Sequence, residues 1–296
     1  MQVNPLHFLI YDLIIFQNMD KNIDEKDEDM FTDYKDAFPS SYNFVTSKSL
    51  TDDIDSYVLH LALNCNNSAI GAGLNTSKVT ICDTTKLSEA ASFKAHEGDL
   101  SGLKFSSENI NYIYTSSPQE CIKLWDTRDY KTPARRFIDS STPSENGSGS
   151  ASIPKKPLIC FDVNISDEFI AAGTEQVVKD AFLLFWDVGS GKMLGGYWES
   201  YGDDVTTVAF HPEDNDKMAT GGTDGLINVF DVSQPTEDDA LVTSINTESS
   251  IRDIIWYKVR IFNLILTGPS TSILLTGGPL RPYTFLQKSP IPATRN

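Results

Sequence analysis

Four histidines, four cysteines and a scatter of hydroxyls and carboxylates are the groups in this chain that could do chemistry. A buried catalytic set would need a nucleophile, a histidine base and a carboxylate brought together. His96 and Thr115, with Trp125 and nearby acids, are the residue types that invite such a reading. Their placement argues for packing instead. Each lies in or beside a short alternating apolar run, where buried imidazole and indole N–H groups must find partners or cost about 1–3 kcal/mol each. His7 sits in an apolar N-terminal stretch, His60 in the alternating run YVLHLALN, and His211 in the turn His211-Pro212-Glu213-Asp214. No triad and no metal-ligating constellation emerges, and no glycine-rich phosphate loop is present. Cys65, Cys82, Cys121 and Cys160 form no CxxC pair, so they read as small apolar residues of a reducing compartment. The expectation is therefore no enzyme, no cofactor and no metal.

The elements that hold these residues are strands. In residues 201–232, YGDDVTTVAFHPEDNDKMATGGTDGLINVFDV, three apolar runs are separated by His-Pro-Glu-Asp and Thr-Asp-Gly. Proline fixes φ and lacks a donor, and Asp-Gly tolerates the positive φ of a tight hairpin, so three antiparallel strands are expected. The pattern recurs. Phe230-Asp231, Trp186-Asp187, Trp125-Asp126 and Cys82-Asp83 follow one another at spacings of 44, 61 and 43 residues. A period near 40–45 residues with this ending points to propeller blades. The long spacing contains a Ser/Gly/Pro-rich insertion at 139–152, a docking or phosphorylated loop or else an unstructured expansion.

The repeat at 95–128 carries a more specific likeness. KAHEGDLSGLKF, IYTSS and IKLWDTR resemble the WD40 family, in which a His, a Ser/Thr, an Asp and a Trp form a hydrogen-bonded tetrad within a blade. By that resemblance His96, Thr115 and Trp125 occupy tetrad places, while Gln119 stands where Asp is usual. In the next repeat the lengthened hairpin QVVKD places Asp180 at the Asp position, ahead of Trp186-Asp187. In the repeat after it, Thr220 and Asp224 match, Tyr201 stands at the His place, and Phe230 replaces Trp. Having no indole N–H, that blade is expected to rely on apolar packing. The loops YGDDVTTVAFHP and EDDALVTSIN bring residues 55–257 nearer still to one branch of that family.

The fold expected is all-β, a WD40-type propeller of about four readable blades plus the start of a fifth, an incomplete ring. Around the repeats at 55–257 lie residues 1–54 and 258–296. Residues 1–18 read as a docking helix or an upstream extension, 20–36 as an acidic tail, solvated or binding a basic partner, and 41–50 as a strand. After Tyr257 no Asp-Gly turn or Trp-Asp ending follows. With five basic residues, no acidic one and five prolines, 258–296 reads as a non-blade tail, as from a truncated or misjoined C-terminus.

Composition bounds the partners. A formal net charge of −17, from 41 acidic and 24 basic residues, opposes a general phosphate-binding surface, so neither nucleic acid nor membrane is expected. The function expected is an intracellular scaffold, cytoplasmic or nuclear, that binds a protein or a basic peptide. Glu97, Asp99, Tyr201, Asp203, Asp204 and Thr223, in loops before the first strands and in Asp turns, are the candidate contacts. Arg128 in WDTR gives an alternative, since that submotif resembles one in substrate receptors of cullin-RING ubiquitin ligases and would meet an adaptor subunit.

Overall fold

A computed structural model describes residues 47–50, 55–119, 121–141 and 156–257, and the strands 262–267, 272–278 and 281–287. The readings for 1–18 and 20–36, and nearly all of the 139–152 insertion, lie outside the described residues. Of the strand expected at 41–50, residues 47–50 are described and are irregular.

The strands form five four-stranded antiparallel sheets, each in sequence order. The first holds β1 (Val58–Leu63), β2 (Ala69–Leu74), β3 (Lys78–Asp83) and β4 (Glu89–Lys94). The second holds β5 (Gly102–Phe105), β6 (Tyr112–Ser116), β7 (Ile122–Asp126) and β8 (Arg135–Phe137). The third holds β9 (Leu158–Val163), β10 (Phe169–Thr174), β11 (Ala181–Asp187) and β12 (Met193–Tyr201). In the fourth, β13 (Val205–Phe210), β14 (Lys217–Gly222) and β15 (Leu226–Asp231) are the three strands expected in 201–232. A single helical turn, α1 (Glu237–Ala240), then leads into β16 (Leu241–Asn246). The first strand of each sheet packs on the first strand of the next, from β1 to β5, β9 and β13, so first strands line the inside of an arc that does not close into a ring.

The fifth sheet departs from the expectation for the tail. β17 (Asp253–Tyr257) pairs with β18 (Phe262–Thr267), β18 with β19 (Ser272–Gly278) and β19 with β20 (Arg281–Gln287), all antiparallel. The runs FNLILT and SILLTGG supply β-branched and apolar residues suited to strands. Pro282 falls in the outermost strand, where a missing N–H leaves no ladder bond broken. Turn and ending motifs were therefore a poorer guide here than apolar content.

Blades interlock through one repeated contact. On the second strand of the first, third and fourth sheets a glycine faces an apolar residue at the head of the next blade. A Cβ on Gly73 would lie 2.3 Å from Leu100 Cδ2, one on Gly173 2.6 Å from Val205 Cγ1, and one on Gly221 2.6 Å from Ile251 Cγ2. In the second sheet the place belongs to Ser116. Its hydroxyl meets that of Ser101 at 2.9 Å, and Ser101 donates to the Leu158 carbonyl at 2.8 Å. Leu100, Leu158, Val205 and Ile251 are all buried. A polar clamp crosses the inner strands as well. Asp162 on β9 pairs with Lys104 on β5 and accepts from the Phe210 N–H on β13 at 2.8 Å, so one buried carboxylate ties three blades together. Lys104 also donates to the Val163 carbonyl at 3.1 Å.

Gly173→Ala is expected to destabilise the protein by about 1–3 kcal/mol, because its methyl group must displace Val205 and the next blade with it. Gly202→Ala, which meets nothing within 4 Å, is the control and should stay within about 0.5 kcal/mol. Urea denaturation of both variants checks this.

Candidate functional site

Within the second blade the polar residues join as a chain. His96 Nε2 lies 2.8 Å from Thr115 Oγ1, and the Trp125 indole N–H donates to the same oxygen at 2.9 Å. All three residues are buried. A hydroxyl so enclosed, with an indole N–H on it and no cleft beside it, is an architectural joint. Gln119 stands apart from this joint. Its Oε1 accepts from the Asp99 N–H at 3.0 Å, and its amide donates to Asp99 Oδ2 at 3.2 Å.

The other blades solve the same problem with different atoms. In the third, Ala172 occupies the register position of Thr115, since Ala172 pairs with Leu184 as Thr115 pairs with Lys123. The Trp186 indole therefore donates to the Ile138 carbonyl of the preceding blade at 3.0 Å. Asp180 does not join a tetrad. It is exposed in the lengthened hairpin and held through its backbone to Val177. In the fourth blade the expectation of apolar packing alone is also corrected. Phe230 is fully buried, yet the Tyr201 hydroxyl meets Thr220 Oγ1 at 2.5 Å and restores the polar link. Burial pushes the Tyr201 phenol well above its ordinary range. Asp224 stays in its hairpin, accepting from the Leu226 N–H at 2.9 Å. The Trp256 indole donates to the Ala209 carbonyl at 3.0 Å.

The aspartates that end the blade motifs share one role, as acceptors in the turn after the third strand. Asp83 accepts from the Thr85 N–H at 2.9 Å, Asp126 from the Arg128 N–H at 3.0 Å, Asp187 from the Ser190 N–H at 2.5 Å and Asp231 from the Ser233 N–H at 3.1 Å. Arg128 adds a fork to Asp126 at 2.9 and 2.6 Å. Side-chain hydrogen bonds from Thr85, Arg128, Ser190 and Ser233, with these backbone bonds, lower all four carboxyl pKa values, Asp126 to about 2. The hairpins after the first strands have caps that sequence reasoning placed only as turns. Asn64 and Asn164 accept from N–H groups of Ala69 and Phe169, Ser106 from Asn109, and His211 Nδ1 from Glu213 and Asp214. The turn sequence signalled His211; its equivalence with Asn64 and Asn164 required the register. Burial lowers the His211 pKa. His60 is packed rather than exposed, its Nε2 3.3 Å from the Leu100 carbonyl.

The candidate partner contacts separate into two groups. Glu97 and Asp99 are exposed, and Asp203, Asp204 and Thr223 are half-buried at the same end of the sheets. Tyr201 is 3% exposed and committed to Thr220, so it is removed from the contact set. Its place ahead of a first strand puts it at the interior tetrad position, not on the rim. Among the described residues no His, Cys, Asp and Glu group is arranged to hold a metal ion. Among them, too, no helix is long and apolar enough to cross a membrane. The described cysteines form no disulfide. Cys160 lies against the Val205 carbonyl at 3.1 Å, and burial raises its thiol to about 12.

Two measurements follow from this geometry. Thr115→Val removes the acceptor of a buried indole N–H and should cost about 1–3 kcal/mol, read as a lower urea midpoint. The turn aspartates have folded pKa values below their unfolded value of about 3.9. The stability they add is thus present above that pH and is lost as pH falls through their folded values, about 2 for Asp126. Melting temperature should drop between about pH 4 and pH 2, and Asp126→Asn should flatten part of that drop.

Comparison with known proteins agrees with this architecture. The family "WD domain, G-beta repeat" matches residues 194–231. That span runs from the outer strand of the third sheet through the third strand of the fourth. A WD repeat-containing protein 89 homolog of Dictyostelium discoideum is 29% identical over 74% of this chain and 55% of its own length. An uncharacterized WD repeat-containing protein of Schizosaccharomyces pombe is 32% identical over 53% of this chain and 45% of its own length. Another, of Saccharomyces cerevisiae, is 27% identical over 76% and 54%. The chain spans about half the length of these relatives. Among solved structures, a chain of a mitotic checkpoint complex superposes with a TM-score of 0.61 at 18% identity, covering 82% of this chain and 67% of that one, a likeness of fold alone. The chain carries a WD-domain repeat at 194–231 within a propeller-type fold and resembles WD repeat-containing protein 89 homologs.

Proposed function

We propose that this chain is a non-catalytic interaction scaffold whose rim loops take a basic peptide or a basic segment of a protein. WD40-repeat proteins serve generally as protein-interaction scaffolds. The observation that carries the reading is a belt of described loops at one end of the sheets. They lead into first strands or join second strands to third strands, and several bond to one another. Ala95 N–H donates to the Ser77 carbonyl at 2.9 Å, Gln176 N–H to Asp204 Oδ1 at 2.7 Å and Thr223 N–H to the Asp204 carbonyl at 2.9 Å. Thr247 N–H donates to the Gly225 carbonyl at 2.9 Å and the Ser250 hydroxyl to the Thr223 carbonyl at 3.0 Å.

A belt held this way presents its side chains with little ordering left to do on binding. Glu97, Asp99, Glu175, Asp180 and Glu248 are exposed along it, with Asp203, Asp204 and Asp224 half-buried between them. Burial and the neighbouring Asp203 carboxylate push Asp224 above its ordinary pKa, a strain that an incoming cation relieves. Arg128, the residue a cullin-ligase adaptor would meet, is forked onto Asp126 at the opposite end and has no part in this reading.

Binding of a hexalysine peptide tests it. The Glu97→Lys/Asp180→Lys double variant should bind several-fold more weakly, with the difference shrinking as salt rises. Equal affinity of the two proteins, measured by calorimetry with matched melting temperatures, overturns the reading.

A further inference from the structure

At the same end of the third blade, one ammonium group is enclosed. Lys156, which precedes β9, is 6% exposed. Its Nζ lies 5.4 Å from the ring centroids of both Phe182 on β11 and Trp198 on β12. The rings stand 5.2 Å apart at 60° to one another. The ammonium donates to Asp139 Oδ2 at 3.3 Å and to the Ser141 hydroxyl at 2.7 Å. Two π faces, a carboxylate and a hydroxyl converging on one point are the features that bind a cation once its water is removed. The box is braced from the next blade. Glu237, in α1, accepts from the Trp198 N–H at 2.6 Å and the Glu199 N–H at 3.1 Å, and from the Ser200 hydroxyl, which fixes the strand that carries Trp198. Trp198 nonetheless remains 40% exposed, so the box opens to solvent on one side.

We propose that the Phe182–Trp198–Asp139 box is a lysine subsite of the acidic rim, occupied in this structure by the chain's own Lys156, and that a lysine of a bound partner competes with Lys156 for it. This rests on the basic-peptide reading above and gives it a regulation. Lys156 follows the insertion, whereas Asp139 and Ser141 lie ahead of it, so the resident ammonium draws the two ends of the insertion together. A partner lysine that enters the box releases that tie. The resident group holds back an incoming lysine by the fraction of time it fills the box, so the rim alone sets the initial affinity and the box adds to it only when Lys156 leaves.

The experiment uses the full chain and hexalysine as the probe. Lys156→Ala vacates the box and should bind the peptide roughly tenfold more tightly than the wild type. Adding Trp198→Ala in that background should return the affinity to the wild-type level. Should the vacated variant melt early because Asp139 loses its ion pair, the wild-type chain supplies the second readout. Hydrogen exchange at residues 139–141 and 156–158 should rise when hexalysine is added, as Lys156 is displaced. Peptide binding that leaves this exchange unchanged, or an affinity that Lys156→Ala in a folded chain does not raise, overturns the subsite and leaves the rim reading standing. Failure of hexalysine to bind any variant removes the rim reading itself.

Discussion

The contact on which the arc of blades depends is the close approach of a small residue on one second strand to an apolar residue heading the next blade. Gly73 receives Leu100, Gly173 receives Val205, and Gly221 receives Ile251. The physics is one of volume. Two sheets can pack with their inner strands converging only if the side chains between them shrink toward the axis, and glycine is the limit of that shrinkage. The second blade reaches the same spacing with Ser116, and its hydroxyl must then be satisfied, which Ser101 does. Burying Leu100, Leu158, Val205 and Ile251 in these notches provides apolar burial between blades, where no strand pairing links one sheet to the next.

Around that contact the polar wiring varies from blade to blade while its constraint stays fixed. A buried indole must donate its N–H somewhere. Trp125 finds a hydroxyl in its own blade, Trp186 a carbonyl in the blade before, and Trp256 the Ala209 carbonyl on the neighbouring inner strand. The choice follows from one position: a threonine opposite Lys123 gives the first solution, and an alanine opposite Leu184 forces the second. Where Phe230 removes the indole, Tyr201 brings a hydroxyl from the loop ahead of the blade and meets Thr220 instead. The tetrad is thus one member of a set of equivalent ways to leave no buried donor unpaired.

The two ends of the sheets divide the work. At one end, side-chain caps close the hairpins: Asn64, Ser106, Asn164 and His211 after the first strands, and Asp83, Asp126, Asp187 and Asp231 after the third. The aspartates are spent on side-chain donors and backbone N–H groups of their own turns, which is why their pKa values fall. At the other end the loops bond mainly to each other across blades. Several carboxylates there face solvent, with Glu97 paired to Lys94, while Lys156 lies boxed between two rings and Asp139. The helical turn at 237–240 covers the open edge amides of β12, so the loop EDDALVTSIN secures the neighbouring blade.

By itself the sequence determined the repeat. Alternating apolar runs, Asp-Gly and His-Pro turns and the aromatic-Asp endings act over a few residues, so they place strands and hairpins without knowledge of the rest of the chain. They gave the strands of the 201–232 stretch, while the link among His96, Thr115 and Trp125 was implied by the resemblance to the WD40 family. What acts between blades was decided only by the tertiary structure. Asp180, expected in a tetrad, lies in an exposed hairpin, and Tyr201, expected both at the histidine place and as a partner contact, is buried against Thr220. The strands of 262–287 carry no repeat motif and are held by successive antiparallel pairing from β17 to β20. The lysine box likewise joins 139, 156, 182 and 198 across a long insertion. Local chemistry fixes what each segment can be; the partner that satisfies a buried donor or charge is chosen by whichever blade the fold places beside it.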